Sequence, residues 1–400
     1  MHHVLEMNSI EELRPYRDVW QALLKQTAQA SFVRSFDWLE VYWKHFSDDQ
    51  TLRVLLVQNE DCEVVGILPL VVRPIETRVG KLNYLTYPLD DWATYYGPVG
   101  PQPEVWLRSA FDHIRHSSRD WDVVELRFVG SSTTETDATA QAFSVFERNV
   151  QPRPWHQAAV IQLRTTFDDY VSSKSKNFRK GLRKTERNLQ SLGEVRLCRY
   201  RPLGTAGGDD TPRWDLYEAC EEIARNSWQG TSRTGTTITH APVRQFFRDV
   251  YAAAIRCGSL DLNLLYVGGR PVAYDYNLVN NGYIDCLRTG FDQTSGAEGA
   301  GSLMFKLWLE DSFARGDQVI DLGVGSLDYK QRWCTEVVGS FRFTHFARTA
   351  WRSQLLNWNQ WVKTRFGTRV DEFEQSDETL HNQRPEKVVE LPTPECVTLP

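Results

Sequence analysis

Three glycines lie close together near the end of a segment, residues 283–301, whose pattern runs from a strand into a helix. Gly296, Gly299 and Gly301 follow the apolar residues of the strand and precede those of the helix. Such a turn directs free backbone N–H groups at an anion, and the helix dipole adds to the attraction. The segment therefore predicts a phosphate or pyrophosphate site, with a flexible connection as the alternative. It lacks the GK[ST] of a P-loop and the GxGxxG of a dinucleotide site.

A second group of reactive side chains follows the next short strand, in DLGVGSLDYKQRW at 321–333. Turns after strands are common positions for catalytic residues. In a catalytic interpretation, Asp321 is a base, Tyr329 protonates a thiolate leaving group, and Lys330 holds a phosphate or polarises a carbonyl. In the alternative interpretation, Asp321 caps the turn while Tyr329 and Trp333 pack.

A basic segment lies earlier in the chain, inside a helix expected at 167–193. Between residues 174 and 187 its only acidic residue is Glu186. The segment is either a solvated helix face or a surface for the phosphates of a cofactor, a nucleic acid or an acidic membrane. Its seven basic residues are Lys174, Lys176, Arg179, Lys180, Arg183, Lys184 and Arg187.

Acidic and aromatic residues cluster at 90–96, in a stretch with no clear helix or strand pattern. The composition suits contacts to a sugar or a peptide, and packing explains it as well. The residues are Asp90, Asp91, Trp92, Tyr95 and Tyr96. No HExxH or paired histidine spacing indicates a metal site, and no GxSxG marks a nucleophile.

The elements around these residues predict a mixed α/β (α+β) fold of two tandem domains with mixed sheets flanked by helices. The first domain is placed at 1–160 and the second at 161–355. Within the second, strands are expected at 195–200, 260–268, 270–280, 281–292, 318–325 and 341–349, and helices at about 213–228, 241–257 and 301–316. The acidic segment 371–400 is expected to be largely disordered.

Composition narrows the class of protein. The chain has 400 residues and a formal net charge of -6, which excludes a globally cationic nucleic-acid binder. Seven scattered cysteines without a CxxC fit a reducing compartment. The sequence shows neither a signal-peptide pattern nor a run of eighteen apolar residues, so we expect a cytoplasmic protein without a spanning helix.

The order and spacing of these segments resemble the GNAT-fold acyltransferases of the CelD/BcsL type, which are linked to cellulose and exopolysaccharide biosynthesis. They resemble the Fem-type peptidyltransferases more distantly. The resemblance covers residues 10–350. It depends on SFVRSFDWLEVYWKHF (31–46), VVGILPLV (64–71), YVSSKSKNFRKGLRKTERNL (170–189), SWQGTSRTGTTI (227–238), GGRPVAYDYNL (268–278), GFDQTSGAEGAGSLMFK (290–306) and DLGVGSLDYKQRW (321–333).

The resemblance implies that the second domain binds acetyl-CoA or another acyl-CoA as co-substrate. The strand before the glycine turn would line the pantetheine arm, and the turn and helix start would bind the pyrophosphate. Relatives often have Ser-Pro-Gly before this helix, whereas Ala300 precedes Gly301 here, which leaves backbone N–H binding intact. The implied contacts are Leu287, Arg288, Thr289, Gly296, Gly299, Ala300, Gly301 and Ser302.

The resulting hypothesis is an acyl-CoA-dependent N- or O-acyltransferase with a small-molecule or saccharide acceptor. Asp321, or Asp285 as a second candidate, accepts a proton from the attacking amine or hydroxyl. Backbone N–H groups at 287–289 polarise the thioester carbonyl, and Tyr329 protonates the departing thiolate, with Lys330 as a further catalytic candidate. The expected acceptor contacts are Asp91, Tyr95 and Trp228.

Two alternatives stay open at this point. The basic segment favours a Fem-type transferase that uses aminoacyl-tRNA, whereas the acidic net charge disfavours it. The other alternative is a non-catalytic GNAT-like scaffold whose acidic tail at 371–400 binds a partner.

Overall fold

A computed structural model describes residues 2–89, 92–130, 132–147, 150–227, 230, 237–325 and 327–366 of the chain. The strands of this part are β1 (His3–Met7), β2 (Thr51–Gln58), β3 (Val64–Thr77), β4 (Gly80–Thr86), β5 (Val123–Gly130), β6 (Arg153–Gln162), β7 (Val195–Tyr200), β8 (Leu260–Val267), β9 (Arg270–Asn280), β10 (Tyr283–Phe291), β11 (Val319–Val324) and β12 (Glu336–Phe346). Its α-helices are α1 (Ile10–Leu13), α2 (Arg17–Gln26), α3 (Phe36–Phe46), α4 (Pro103–His116), α5 (Thr133–Phe143), α6 (Phe167–Ser173), α7 (Lys176–Leu192), α8 (Trp214–Arg225), α9 (Ala241–Arg256), α10 (Ala300–Arg315), α11 (Leu327–Lys330) and α12 (Trp351–Phe366).

All twelve strands form one sheet in the order β1-β2-β3-β4-β5-β12-β6-β11-β10-β9-β8-β7. The pairs β4–β5 and β10–β11 are parallel and the other neighbours are antiparallel. Helices flank this large mixed sheet, so the predicted mixed α/β fold is confirmed. The last strand, β12, fills the position between β5 and β6 and thereby joins the two halves of the chain.

The expected division into domains at 1–160 and 161–355 stays a prediction. In the structure β6, which ends at Gln162, lies between β12 and β11, two strands from the second half of the chain. The acidic segment 371–400 lies outside the described residues.

Two long helices expected from the sequence are interrupted. The pattern at 8–30 predicts one helix, but Pro15 lies in a short 3-10 turn, Arg14–Tyr16, between α1 and α2. The helix expected at 167–193 breaks after Ser173, and the Ser175 hydroxyl then accepts the backbone N–H of Phe178 to cap α7. Each interruption has a local cause: proline has no N–H to donate at the first, and a serine hydroxyl caps a new helix at the second.

The two halves also meet through aromatic side chains. The Ser35 hydroxyl accepts the backbone N–H of Trp38 and caps the start of α3. Trp38 of α3 contacts Phe246 of α9 at 5.5 Å between ring centroids, and Trp92 stacks on Phe246 at 4.4 Å. This packing fixes the first half against the second on one face of the sheet. In the described part, no helix has both the length and the apolar character to span a bilayer.

Candidate functional site

The parallel strands β10 and β11 pair only at their beginnings. The ladder contains three residue pairs, from Tyr283 with Val319 to Asp285 with Asp321. Beyond them, a register shift after Cys286 bends β10, and Gly323 at φ 72° turns β11 back toward β6. The two strands therefore diverge directly after the aspartates, and this opening is the centre of the candidate site.

Asp285 and Asp321 are register partners on neighbouring strands, so their carboxyls lie on the same face about 5 Å apart at the backbone. Asp321 is 1% exposed and accepts hydrogen bonds from the Thr94 hydroxyl (3.0 Å), the Gly323 N–H (2.8 Å) and the Tyr283 hydroxyl (2.9 Å). Asp285 is also buried, and its Oδ2 atom has no hydrogen-bond partner within the described residues. One carboxyl is thus fully engaged while the other keeps an oxygen available.

The two carboxyls share one environment and influence each other. Burial raises the pKa of Asp285 well above its usual range, and the neighbouring charge of Asp321 raises it further. Burial also raises the pKa of Asp321, against its hydrogen bonds and the charge of Lys330. Two buried carboxylates this close do not both ionise readily, so the pair keeps a proton at a pH well above that at which an ordinary aspartate loses it. Such a pair can take up and return a proton.

Lys330 lies at the same opening, at the end of α11. Its Nζ donates to the carbonyls of Gly323 (3.0 Å) and Val324 (2.6 Å), which leaves one N–H of the ammonium for another acceptor. Burial lowers the pKa of Lys330 to about 8, with the charge of Asp321 opposing the shift. The side chain therefore fixes the turn after β11 and keeps a cation beside the carboxyl pair.

Tyr329 lies on the other side of this turn, next to the glycine turn. Its hydroxyl has Ser302 and Asp275 among its electrostatic neighbours, and its side chain is 46% exposed. The structure therefore brings Tyr329, from one predicted group, to Ser302, from the other. The position is suitable for a proton donor to a leaving group held at the start of α10.

The glycine turn is built by Asp292, whose carboxylate accepts the Thr294 N–H (2.8 Å) and the Arg270 guanidinium (2.6 Å). Gly296 and Gly299 have φ values of 70° and 81°, which residues other than glycine adopt with strain. Among the described residues, a Cβ at Gly296 or Gly301 would meet no atom within 4 Å, and no side chain caps α10. Ala300 donates its N–H to the Ala297 carbonyl at 3.1 Å, so within the described residues the N–H groups of Gly301 and Ser302 are the ones of this first turn that remain for an anion.

The predicted donor contacts on β10 fall into two kinds. Leu287 is buried in the core, and the Arg288 guanidinium lies over the Phe247 ring, at 5.0 Å from its centroid. Their side chains are committed to packing, so only their backbone groups remain for a donor. Thr289 donates to the Tyr274 carbonyl at 3.3 Å and faces Asp275. Ala300 is buried at the start of α10, and Ser302 follows one residue after Gly301.

The acidic and aromatic segment at 90–96 also contains residues of two kinds, those that pack in the core and one that lies near the carboxyl pair. Trp92 packs against Phe246, and Tyr96 is buried beside Tyr87, as the packing interpretation expected. Tyr95 is half-buried and lies close enough to Tyr283 to influence it electrostatically. Predicted contacts Asp91 and Trp228 lie outside the described residues. The structure thus brings one of the three expected acceptor contacts, Tyr95, toward the carboxyl pair.

Sequence reasoning missed several residues of the site. The Ser31 hydroxyl lies close enough to Asp285 to lower the pKa of that carboxyl, and Arg34, which is 2% exposed, contributes positive charge there. Thr94 binds Asp321 across 227 positions of sequence. No local pattern marks these three residues, since only the sheet order brings the first half of the chain to β10 and β11.

Asp275 was missed although a signal was present. It alternates with buried Tyr274 and Tyr276 on β9, and its Oδ2 accepts the Trp308 indole N–H at 2.6 Å. Burial raises its pKa to about 6, against hydrogen bonds from Thr289 and Trp308. An acidic residue inside a buried strand pattern is a titration signal that the sequence carries by itself.

The basic helix α7 borders the glycine turn. A Cβ at Gly299 would lie 2.7 Å from the Thr185 side chain, and Lys306 of α10 pairs with Glu186 at 2.9 Å. Lys174 does not join this surface, because its Nζ donates to the carbonyls of Trp333 and Cys334. The other six predicted basic residues lie on α7, the helix whose Thr185 contacts the glycine turn.

Comparison with known protein families identifies one segment of the chain. Residues 176–331 match the family model described as Acetyltransferase (GNAT) domain. A comparison with curated proteins found no match.

Solved structures are similar over most of the chain. FemX has a TM-score of 0.58 at 11% identity, covering 91% of this chain and 100% of its own. The C-terminal domain of an Agrobacterium fabrum protein assigned as a lysylphosphatidylglycerol synthetase has a TM-score of 0.52 at 10% identity, covering 90% of this chain and 99% of its own. At these identities the likeness shows the fold.

The matched segment runs from the first residue of α7 to the turn that carries Tyr329 and Lys330, and it contains both the glycine turn and the carboxyl pair. The resemblance to the CelD/BcsL type stays a prediction. Residues 176–331 are a GNAT-fold, acyltransferase-like domain, and the chain that carries it is a transferase.

Proposed function

We propose that this transferase moves an acyl group from acyl-CoA to an amine or hydroxyl of its acceptor. The observation that carries the proposal is the buried pair Asp285 and Asp321, held in register where β10 and β11 diverge. The pair can hold a proton, and it adjoins a helix start with open N–H groups. Proton acceptor and anion site therefore border the same opening.

The residues around the glycine turn fit a phosphate-bearing donor. Open space at Gly296 and Gly301, the uncapped start of α10 and the cations of α7 all favour a pyrophosphate. An acyl-CoA supplies a thioester at the end of a long arm, for which the opening between β10 and β11 provides a path. We propose that a backbone N–H group at 287–289 polarises the thioester carbonyl.

The chain's own groups provide the proton transfers. The pair carries one proton and one negative charge, so it can accept one further proton. The open Oδ2 of Asp285 takes the proton of the attacking amine or hydroxyl, and the proton already on Asp285 passes to Asp321, which Thr94 and Tyr283 anchor. Tyr329, beside Ser302, protonates the departing thiolate. Lys330 and Arg34 stabilise the net negative charge of the pair. Tyr95 borders the side from which the acceptor enters, and on the family resemblance we propose a saccharide acceptor.

Donor binding is tested by calorimetric titration of the full chain with CoA and acetyl-CoA. We expect saturable binding that Gly301→Trp abolishes, because the bulky side chain fills the space above the helix start. Glu310→Trp, on an exposed position of the same helix, is the matched control and should bind normally. If neither ligand binds at millimolar concentration, the acyl-CoA proposal is wrong.

A second candidate donor is aminoacyl-tRNA, for which the six cations of α7 beside the glycine turn are the supporting observation. Contacts to several phosphates make affinity fall steeply with salt. Binding of charged tRNA that weakens by at least about tenfold between 50 and 200 mM salt, and that Arg183→Glu with Arg187→Glu removes, would favour this donor. Absence of both CoA and tRNA binding would favour the non-catalytic scaffold.

A further inference from the structure

Helix α12 carries its apolar side chains on the outside. Trp351, Leu355 and Trp358 are 67%, 43% and 61% exposed. Steps of four and three residues place them on one side of the helix. Ser353 and Leu356, on the opposite side, are buried. A helix that serves only the core shows the reverse pattern, so the outward stripe needs another explanation.

The buried side of α12 fixes the helix in this orientation. Leu356 belongs to a small apolar cluster with Leu82 and Tyr84 of β4, Val123 of β5 and Phe346 of β12. Gln354 also donates to the carbonyls of Phe346 and Ala347, both at 3.1 Å. The tryptophans therefore face outward because the other side of the helix is anchored.

The same segment is positively charged. Residues 348–366 contain four basic residues and no acidic residue, although the whole chain has a net charge of -6. Arg348 and Arg352 are exposed, and the Arg352 guanidinium lies 5.2 Å from the centroid of the Trp351 ring. Apolar aromatic surface and positive charge thus occur together.

A cluster of arginines lies on strands β5, β6 and β12 of the sheet, close to α12. Arg127 and Arg342 lie 4.8 and 5.2 Å from the centroid of the Trp155 ring, and Arg153 adds a third charge that acts on Arg342. The buried Glu125 carboxylate accepts a hydrogen bond from Arg127, which is half-buried. Tyr84 connects the two features, since it packs with Leu356 and is influenced by the charges of Arg127 and Arg342.

We propose that this surface, Trp351, Leu355 and Trp358 with Arg348 and Arg352, docks the protein on an anionic lipid bilayer. Tryptophan rings prefer the interface between headgroups and acyl chains, and nearby arginines are attracted by anionic headgroups. A second copy of the chain would bring two positive surfaces together, which disfavours self-association. The inference is independent of the proposed donor and acceptor.

The test is co-sedimentation of the full chain with two kinds of vesicle, one of phosphatidylcholine alone and one that also contains about 30% phosphatidylglycerol. The anionic headgroups of the second kind attract basic side chains that come within a Debye length of the surface. We expect binding to the anionic vesicles only. Trp351→Ser with Trp358→Ser should weaken it by about tenfold or more. Arg348→Glu with Arg352→Glu should weaken it by about fivefold or more for each arginine. Leu203→Ser, at another exposed apolar residue (73%), is the matched control and should bind normally.

Four results would overturn the proposal. The first is no binding to anionic vesicles, and the second is binding that the tryptophan variant leaves unchanged. The third is a dimer in analytical ultracentrifugation that the tryptophan variant dissociates, which would make a second copy the occupant. Nucleic-acid binding that competes with vesicles and persists in the tryptophan variant would also count against it. Thermal unfolding of each variant verifies that the exposed substitutions leave the fold intact.

Discussion

Two groups of buried aspartates on one sheet behave in opposite ways. At one end, Asp261 is fully buried and receives a two-point contact from Arg199 at 2.9 and 2.8 Å and a third bond from Arg201 at 3.1 Å. Burial by itself would raise the pKa of Asp261, but the charges of Arg199 and Arg201 lower it. Nearer the centre, Asp285 and Asp321 have no guanidinium in direct contact within the described residues, and their pKa values rise.

The difference teaches that burial does not make a carboxyl reactive. The balance of charge around it decides whether it stays ionised and structural or holds a proton that it can exchange. Arg201 also binds Asp317 at 2.9 Å, so the Asp261 network closes on itself. The pair at the strand opening leaves an oxygen of Asp285 unused.

The largest expected effect comes from neutralising either carboxyl of the Asp285–Asp321 pair. Asp285→Asn and Asp321→Asn should each lower kcat by about 10²- to 10⁴-fold, because the substitution removes proton transfer. Steady-state kinetics of CoA release measures the loss, and CoA affinity should stay unchanged. Turnover within threefold of the parent enzyme in both variants would contradict the assignment.

The same substitution in the Asp261 network should damage stability instead. Asp261→Asn leaves two buried guanidinium groups without their shared anion, so we expect the free energy of unfolding to fall by about 3 kcal/mol or more. Urea denaturation measures the change, and kcat per folded molecule should be unaffected. Asp311→Asn, a partner of Arg199 that is 38% exposed, is the control and should cost much less.

The pH dependence of stability should have opposite signs for the two groups. The pKa of Asp285 is higher in the native state than in the unfolded state. Between these two pKa values the native state keeps a proton that the unfolded state releases, so the free energy of unfolding falls as the pH rises toward the native pKa. Asp285→Asn should flatten the decline in unfolding free energy from pH 5 to 8. The lowered pKa of Asp261 gives stability that is lost only in acid. An unchanged slope in Asp285→Asn would show that the pair is ionised.

The smallest expected effect belongs to Thr94→Val. Removing one of three hydrogen bonds to Asp321 should raise the pKa of that carboxyl further and lower kcat by about 2- to 10-fold. The diagnostic measurement is the pH–rate profile, whose acidic limb should move to higher pH. A uniform loss at every pH would indicate a packing defect instead.

Much of the second half of the fold follows from the sequence. The pattern predicts β9 at 270–280 and α10 at 301–316, and the structure has Arg270–Asn280 and Ala300–Arg315. Turn glycines and alternating apolar residues are local signals, which explains this agreement. β1 was missed because a short strand before a helix has no such pattern. α12 was missed because its tryptophans face away from the core.

The candidate site was predictable only in part. The glycine turn, Asp321 and Lys330 stand in local motifs, and the sequence also proposes Asp285. That Asp285 and Asp321 face each other depends on strand register, and the contact of Thr94 with Asp321 depends on the meeting of the two halves. The periodicity of apolar residues predicts helices and strands, but it does not predict which distant elements pair with one another.

The position of β12 has a consequence for how the chain is made. The sheet has a gap between β5 and β6 that only residues 336–346 fill, and these are synthesised about 170 residues after β6 is complete. Until then both strands expose unpaired edges to the surrounding solution, and such edges recruit other chains. A nascent chain stalled before Glu336 should therefore stay bound to chaperones, whereas one extended past Phe346 should be released as a protease-resistant unit.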